Sequence, residues 1–528
     1  MLAGDQALHS AAFPEALKDY DAAFSLQPPG DLVARADLLY KRGLARRSLA
    51  RWDEALADWR EAADAYEEMG DIEAAAGIFD SMCFQLLSGL RYAETLELGQ
   101  RGLAMIGKRN NADRCRMVGY SGITLSLAGY YSAGEAMLRH ARAMAEKIGD
   151  DGLMGAQFSA TLVHHVGYMK FREAADVGLR GAELLRRSGQ LWYLVEGLYW
   201  TVLALFFIGR LEESVELAHE LQPLATRLGH RVSGVASDVA AFIRYFRTGD
   251  IDALDALWQA QLEQARSRRD AQFTSQSQIF NGVVQFWRGH GREALARFES
   301  AADGALSGVF WGQAEGFILL ARSYMGDRDA VLASLQQERP RATSRSGGLL
   351  PMIRAARSSG LGLRGLVSLI RESRSTGTHG FLPRPGRPNT VGSWTALFAA
   401  VEGLAVLGER QEAAKLYPFM LEGMQTGNLM RGFDQRLLDT LAGIAASAGG
   451  NWTQAEDHFR TALRRTEELP HIIEQPEVRR FYARMLLDRN ATGDRQKARQ
   501  LLTEAIEMYR RIGMPKHIEM AQSLLRDV

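Results

Sequence analysis

The chain is predicted to be all-α: an α-α superhelix, or solenoid, of helix hairpins repeating about every 40 residues. Two observations carry this. A four-residue motif recurs at a fixed step, and glycines recur in phase with it. A repeat of this period identifies a stacked array rather than a set of separate globular domains.

The motif is an aromatic or large residue, two mostly polar residues, then a small one. It reads Phe13–Pro14–Glu15–Ala16, then Trp52–Asp53–Glu54–Ala55, then Tyr92–Ala93–Glu94–Thr95. Further copies end at Gly134, Ala174, Ser214, Leu254, Ala294, Ala413, Ala455 and Ala498. Successive steps are 39 to 43 residues, except for 119 between Ala294 and Ala413, close to three periods. Two degenerate copies are therefore expected in that interval. The small residue lets two helices approach closely.

Gly129, Gly209, Gly249, Gly289, Gly408, Gly450 and Gly493 each lie five residues before the small residue. Gly70, Gly149, Gly189, Gly229 and Gly513 each lie fifteen after it. The first set is expected to end one helix in a left-handed turn and the second set the next. Between them the apolar spacing is helical, as in Ala55, Leu56, Trp59, Ala63 and Tyr66. Each unit reads helix, turn, helix, turn. A standard tetratricopeptide unit repeats every ~34 residues; a longer period means longer helices in the same hairpin logic. Such units curve into a right-handed superhelix with a concave groove, its wall formed by the first helix of each pair. By phase, Glu196, Tyr199 and Gln276 are placed on that groove as partner-binding candidates.

The rhythm divides the chain into an N-terminal repeat segment (1–335), an irregular hinge (336–392) and a C-terminal repeat segment (393–528). The hinge holds Arg339–Pro340–Arg341, Ser344–Arg345–Ser346–Gly347–Gly348 and Pro383–Arg384–Pro385–Gly386–Arg387–Pro388, a composition of exposed, basic loops. Two short helices are expected within Leu349–Ile370. At the other end, Phe13–Ala16 sits mid-repeat, so the first unit is expected to be incomplete, leaving an apolar face for self-association.

Lys+Arg and Asp+Glu are both 63, and hydrophobic residues make up 46%. Zero net charge argues against a general nucleic-acid or anionic-membrane binder. No run of about 20 apolar residues suggests a membrane span, and the N-terminus lacks a signal peptide's apolar core; the expected location is cytoplasmic. Cys83 and Cys115 cannot form a disulfide framework or a four-thiolate zinc site and are expected in the core.

No catalytic, metal or cofactor constellation is legible, and the expectation is a protein that is not an enzyme. The adjacent His164–His165 point about 100° apart on a helix, one expected packed and one exposed. There is no Gly-x-x-x-x-Gly-Lys-Ser/Thr loop and no Gly-x-Ser-x-Gly elbow. Glu212 and Glu213 open a helix and complement its dipole. The aromatic cluster Trp192, Tyr193, Tyr199 and Trp200 is expected to serve packing, with a groove anchor as the alternative.

Particular segments resemble one family. Ala3–Gly4–Asp5–Gln6–Ala7–Leu8, Pro388–Asn389–Thr390–Val391–Gly392–Ser393–Trp394, Glu468–Leu469–Pro470–His471, Arg480–Phe481–Tyr482–Ala483–Arg484 and Tyr509–Arg510–Arg511–Ile512–Gly513–Met514–Pro515 look like the tetratricopeptide-type C-terminal repeat region of bacterial adenylate/guanylate cyclase–AAA (STAND) ATPase signalling proteins. The repeat style is also similar to the helical-repeat part of maltose-regulator-type activators. The cyclase and ATPase parts are absent from this sequence, so their activities do not carry over. What the resemblance implies is a regulatory tail whose partner is a protein or peptide, including a separate ATPase or cyclase chain. The alternative is a small-molecule or nucleotide sensor using the groove or the basic hinge loops.

Overall fold

The computed structural model describes the chain except residues 29, 90, 305–307, 337, 341–353, 355–356, 358–377 and 381. Antiparallel hairpins follow one another: Leu2–His9 with Phe13–Leu26, Leu32–Ser48 with Trp52–Glu68, Ile72–Ser88 with Tyr92–Ile106, and Ala112–Leu127 with Tyr131–Ile148. Asp151–Gly167 pairs with Phe171–Ser188, Leu191–Phe207 with Leu211–Arg227, Val235–Thr248 with Ile251–Ser267, Ala271–Trp287 with Gly291–Asp303, and Gln313–Tyr324 with Arg328–Gln336. The C-terminal block comprises Val391–Leu407 with Arg410–Lys415 and Tyr417–Gln425, Leu438–Ala448 with Trp452–Glu468, Glu474–Arg489 with Asp494–Ile512, and a last helix, Pro515–Arg526. The chain is thus an all-α solenoid of tetratricopeptide-like hairpins.

The local causes are those the repeat encodes. Each motif falls in the first turn of a second helix. Its small residue faces the partner helix with no exposed surface, as at Ala55, Ala174, Ala294, Ala455 and Ala498 (0%). All twelve in-phase glycines have positive φ, between 62° and 95°, a region a side chain avoids. First helices carry side-chain caps: Asp31, Asp71, Asn111, Asp150 and Asp270 each accept from the backbone N–H three residues on, worth about 1 kcal/mol apiece. The first hairpin begins with the eight-residue helix Leu2–His9.

Successive first helices also touch one another: Ile72–Ser88 meets Ala112–Leu127, which meets Asp151–Gly167, which meets Leu191–Phe207. That row is the inner layer. From Val391 the chain does not simply extend the array. Val391–Leu407 packs along Gln313–Tyr324, and the following elements return toward the middle hairpins. The Leu429 N–H donates to the Phe207 carbonyl at 2.9 Å. Phe280 meets Phe433 with ring centroids 4.8 Å apart, Phe286 meets His517 at 5.8 Å, and the last helix contacts Ala271–Trp287. One continuous apolar core consequently runs from Cys83 to Ala521. The accessible surface, 21153 Å², is close to the roughly 19,000 Å² of a compact protein of this mass.

Part of the expected hinge lies outside the described residues, including the two helices expected within Leu349–Ile370 and one of the two degenerate copies. The other copy is Gln313–Tyr324 with Arg328–Gln336. The all-helical expectation gains one exception: strands Glu338–Pro340 and Thr378–Gly380 pair antiparallel.

A buried ion network joins the two blocks. Arg436 donates to Glu402 through Nε and Nη2, both at 3.2 Å, and to Glu474 at 2.7 Å, and its Nη2 lies 2.8 Å from Glu477. Arg431 pairs with Asp434 and with Glu402. Tyr324, from the N-terminal block, donates to Glu402 at 2.7 Å and accepts from Arg480 at 3.0 Å. The two arginines hold the Glu402 carboxyl below the ordinary carboxylate range against its burial.

Burial also depresses histidines. His471 falls to about 3, His517 to about 4, and His230 well below its usual value. The pair His164–His165 falls to about 3 and about 4; neither is exposed, which corrects the expectation of one packed and one exposed ring: Ser126, Tyr131 and Tyr168 from the adjoining helices pack around His164, and His165 is half-buried beside it. A neutral buried histidine loses stability as the unfolded chain takes up its proton below pH ~6.5. Glu474 and Asp238, pushed up by burial to about 7 and about 8, act with the opposite sign between pH 8 and 4, but the histidines outnumber them. The midpoint of urea unfolding is therefore expected to fall from pH 6.5 to pH 4. A constant midpoint over that range contradicts the burial of these rings.

Candidate functional site

Two cavities lie along the inner layer, divided by Trp200, which lines both. The upper one is a cleft between the ends of Ile72–Ser88, Ala112–Leu127, Asp151–Gly167 and Leu191–Phe207. Its floor is apolar, with Phe84, Tyr120, Ile123, Val163 and Trp200. Polar groups sit at its edge: the Tyr120 and Tyr193 hydroxyls are 2.6 Å apart, and Tyr120 donates to Asp80 at 2.8 Å. Arg116 pairs with Asp80 at 3.2 Å. Glu196 accepts from Trp200 Nε1 at 3.0 Å and from Arg231 at 3.4 Å, while its other oxygen and Gln157 Oε1 are buried without a hydrogen-bond partner.

The second cavity is a partly open chamber formed where the returning block meets the inner layer. One wall is Tyr199, Trp200, Phe206, Phe242, Trp258 and Phe280; the other is Phe310, Phe398 and the loop through Met430 and Phe433. Trp258 and Phe280 stack in parallel at 3.8 Å. The chamber's cavity volume is about 130 Å³.

The three predicted residues separate accordingly. Glu196 faces the upper cleft, whereas Tyr199 and Gln276 line the chamber. Tyr199 is 4% exposed and meets Trp200 edge-on at 5.0 Å; burial pushes its phenol well above the ordinary range. The aromatic cluster splits too. Trp192 lies under the Arg47 guanidinium at 3.7 Å, Tyr193 joins the cleft, and Tyr199 and Trp200 wall the chamber. Sequence reasoning missed Asp238 and the 428–437 loop. Asp238 is one carboxyl in an ordinary helical stretch, and the loop lies between two motif copies, where periodicity is silent.

Cys83 and Cys115 are buried free thiols, and burial raises both, Cys115 to about 12, far from the depressed values of reactive thiolates. Of the basic hinge loops, Arg341 and Arg345 lie outside the described residues; Arg387 is exposed. Among the described residues no helix is long and apolar enough to cross a membrane.

Fold and site together define a helix-hairpin solenoid folded back on itself around an aromatic chamber. No family model matches the chain, and no curated protein matches it. Among solved structures, it is similar to one titled as the APC/C hetero-tetramer Cut9–Hcn1, at 12% identity and TM-score 0.31, covering 99% of this chain and 95% of that one. It is also similar to yeast Tom70, at 12% identity and TM-score 0.28, with the same coverage. A circular tandem repeat protein matches at 14% identity and TM-score 0.14, over 97% of this chain and 95% of that one. Scores this low leave the architecture resting on the helix pairing described above.

Proposed function

We propose that the chain is a non-catalytic regulatory module of bacterial signal transduction that docks a protein or peptide partner along its inner layer. The observation that carries this is the upper cleft, with apolar walls, the linked Tyr120 and Tyr193 hydroxyls at its edge, and Gln157 Oε1 buried there without a hydrogen-bond partner. Interfaces concentrate their energy in such aromatic-lined, polar-rimmed pockets. The resemblance to cyclase–ATPase tails makes a separate ATPase or cyclase chain the expected partner. Repeats 1–335 would supply the docking surface and 393–528 the brace behind it, with 336–392 as the joint between them. Leu2, Leu26 and Val33, 88%, 83% and 59% exposed, support self-association through the first units.

A pull-down from the native host with the full chain as bait tests the reading. An ATPase or cyclase chain is expected among the recovered proteins, and Tyr193→Glu, which places a charge on the cleft wall, is expected to lose at least nine-tenths of it. Recovery of no such chain, or equal recovery by the variant, counts against the proposal.

A second reading, small-molecule sensing, is favoured by the chamber. Small-molecule sites are concave, mostly apolar and carry a few placed polar groups.

A further inference from the structure

We propose that the chamber is a binding site for a small arylalkylamine: one aromatic ring carrying a short arm with a protonated amine. The proposal rests on the ligand-sensing reading and names its ligand class.

Size sets the first limit. A cavity of about 150 Å³ lined by apolar side chains takes a benzene ring, and the chamber's volume is about 130 Å³. One ring and a few further atoms fit within it. The walls set the second limit. Trp200, Trp258, Phe242 and Phe280 offer ring faces and edges, which attract both another ring and a cation.

The polar atoms set the third. Three acceptors on the chamber's lining are buried without a hydrogen-bond partner: Asp238 Oδ1, Gln313 Oε1 and Gln435 Oε1. Leaving such atoms unmade costs ~1–3 kcal/mol each, and native interiors hold few of them. Acceptors without donors call for a ligand that donates, and an ammonium group supplies three N–H donors. Its charge also answers Asp238, the one carboxyl among the described residues that line the chamber. Among the described residues no cation pairs with Asp238, and burial drives its carboxyl up to about 8. Arg231 and Arg268 line the crevice on its other side, but Arg231 is engaged by Glu196 and lies 3.7 Å from Asp270.

Backbone strain is a fourth observation, independent of the polar count. Phe433 and Gln435, both on the chamber's lining, hold φ of 69° and 58°. Side chains rarely occupy this region, and such strain collects at binding sites. Here it turns the Phe433 ring and the Gln435 amide toward the same space.

The test compares 2-phenylethylamine with its neutral analogue 2-phenylethanol, titrated into the full chain and read by tryptophan fluorescence and thermal midpoint. The amine is expected to bind at least tenfold more tightly than the alcohol and to raise the midpoint. Asp238→Asn, whose fold is checked by circular dichroism, is expected to lose that tenfold preference. The wild-type amine-to-alcohol ratio decides the matter even if the variant fails to fold. Equal binding of the two compounds overturns the amine assignment but leaves the chamber a ligand site. No binding of either at millimolar concentration overturns both.

Discussion

Replacing Arg436 with methionine is expected to destabilise the chain by about 3–5 kcal/mol, the range for removing one partner of a buried ion pair. The reason is the number of charges this one guanidinium answers. It contacts Glu402, Glu474 and Glu477, whose side chains are 0–2% exposed. Methionine preserves much of the volume but leaves three carboxyls sharing Arg431 and Arg480. Glu402 and Glu477, both held below the ordinary carboxylate range by their arginines, would rise and take up protons. Arg436→Lys is expected to recover only part of the loss, since an ammonium cannot reproduce the planar fork that reaches all three acids. Equilibrium urea unfolding of the three proteins gives the comparison. A loss under about 1 kcal/mol for the methionine variant would mean that water, not Arg436, already satisfies these carboxyls.

The second large effect is expected at Gly392. Two segments cross there backbone to backbone. An added Cβ at Gly392 would overlap the Trp311 carbonyl, and one at Gly312, where φ is 99°, would sit 2.8 Å from the Gly392 carbonyl oxygen. No flexible side chain is available to give way, so Val391–Leu407 must shift away from Gln313–Tyr324. Gly392→Ala is expected to cost at least the ~1–3 kcal/mol typical of overpacking. It should also disturb the chamber, because Val391, Phe310 and Gln313 line it. Thermal unfolding together with the 2-phenylethylamine titration separates the two consequences. A variant with wild-type stability and affinity would show that the crossing is looser than the structure has it. Gly392 is the second residue of its helix, after the Thr390 cap, where alanine is otherwise tolerated, so a loss carries information.

These two residues also mark how far the sequence could be read. Whatever repeats was legible. The step of the motif located the second helices, and the phased glycines located their turns, because each hairpin packs on its neighbour and local contacts recur with the period. Closure of the array was not legible. It depends on contacts such as Asn428 Nδ2 with Met169 Sδ, 259 residues apart at 3.5 Å, which leave no periodic trace. Arg431 and Arg436 lie between motif copies, so nothing distinguished them from solvated arginines. The same gap explains the divided site. Phase placed Glu196, Tyr199 and Gln276 on the inner layer, but it could not tell that a returning loop would roof Tyr199 and Gln276 and leave Glu196 in a separate cleft.

Small-angle X-ray scattering on the intact monomer tests the folding-back most directly. A compact chain of this length has a radius of gyration near ~24 Å, and the closed solenoid is expected below about 30 Å on the same scale. A dozen hairpins stacked at roughly 9–10 Å each in an open array would extend about 110 Å, with a radius of gyration above about 32 Å. A value in that higher range would contradict the chamber and every inference drawn from its walls.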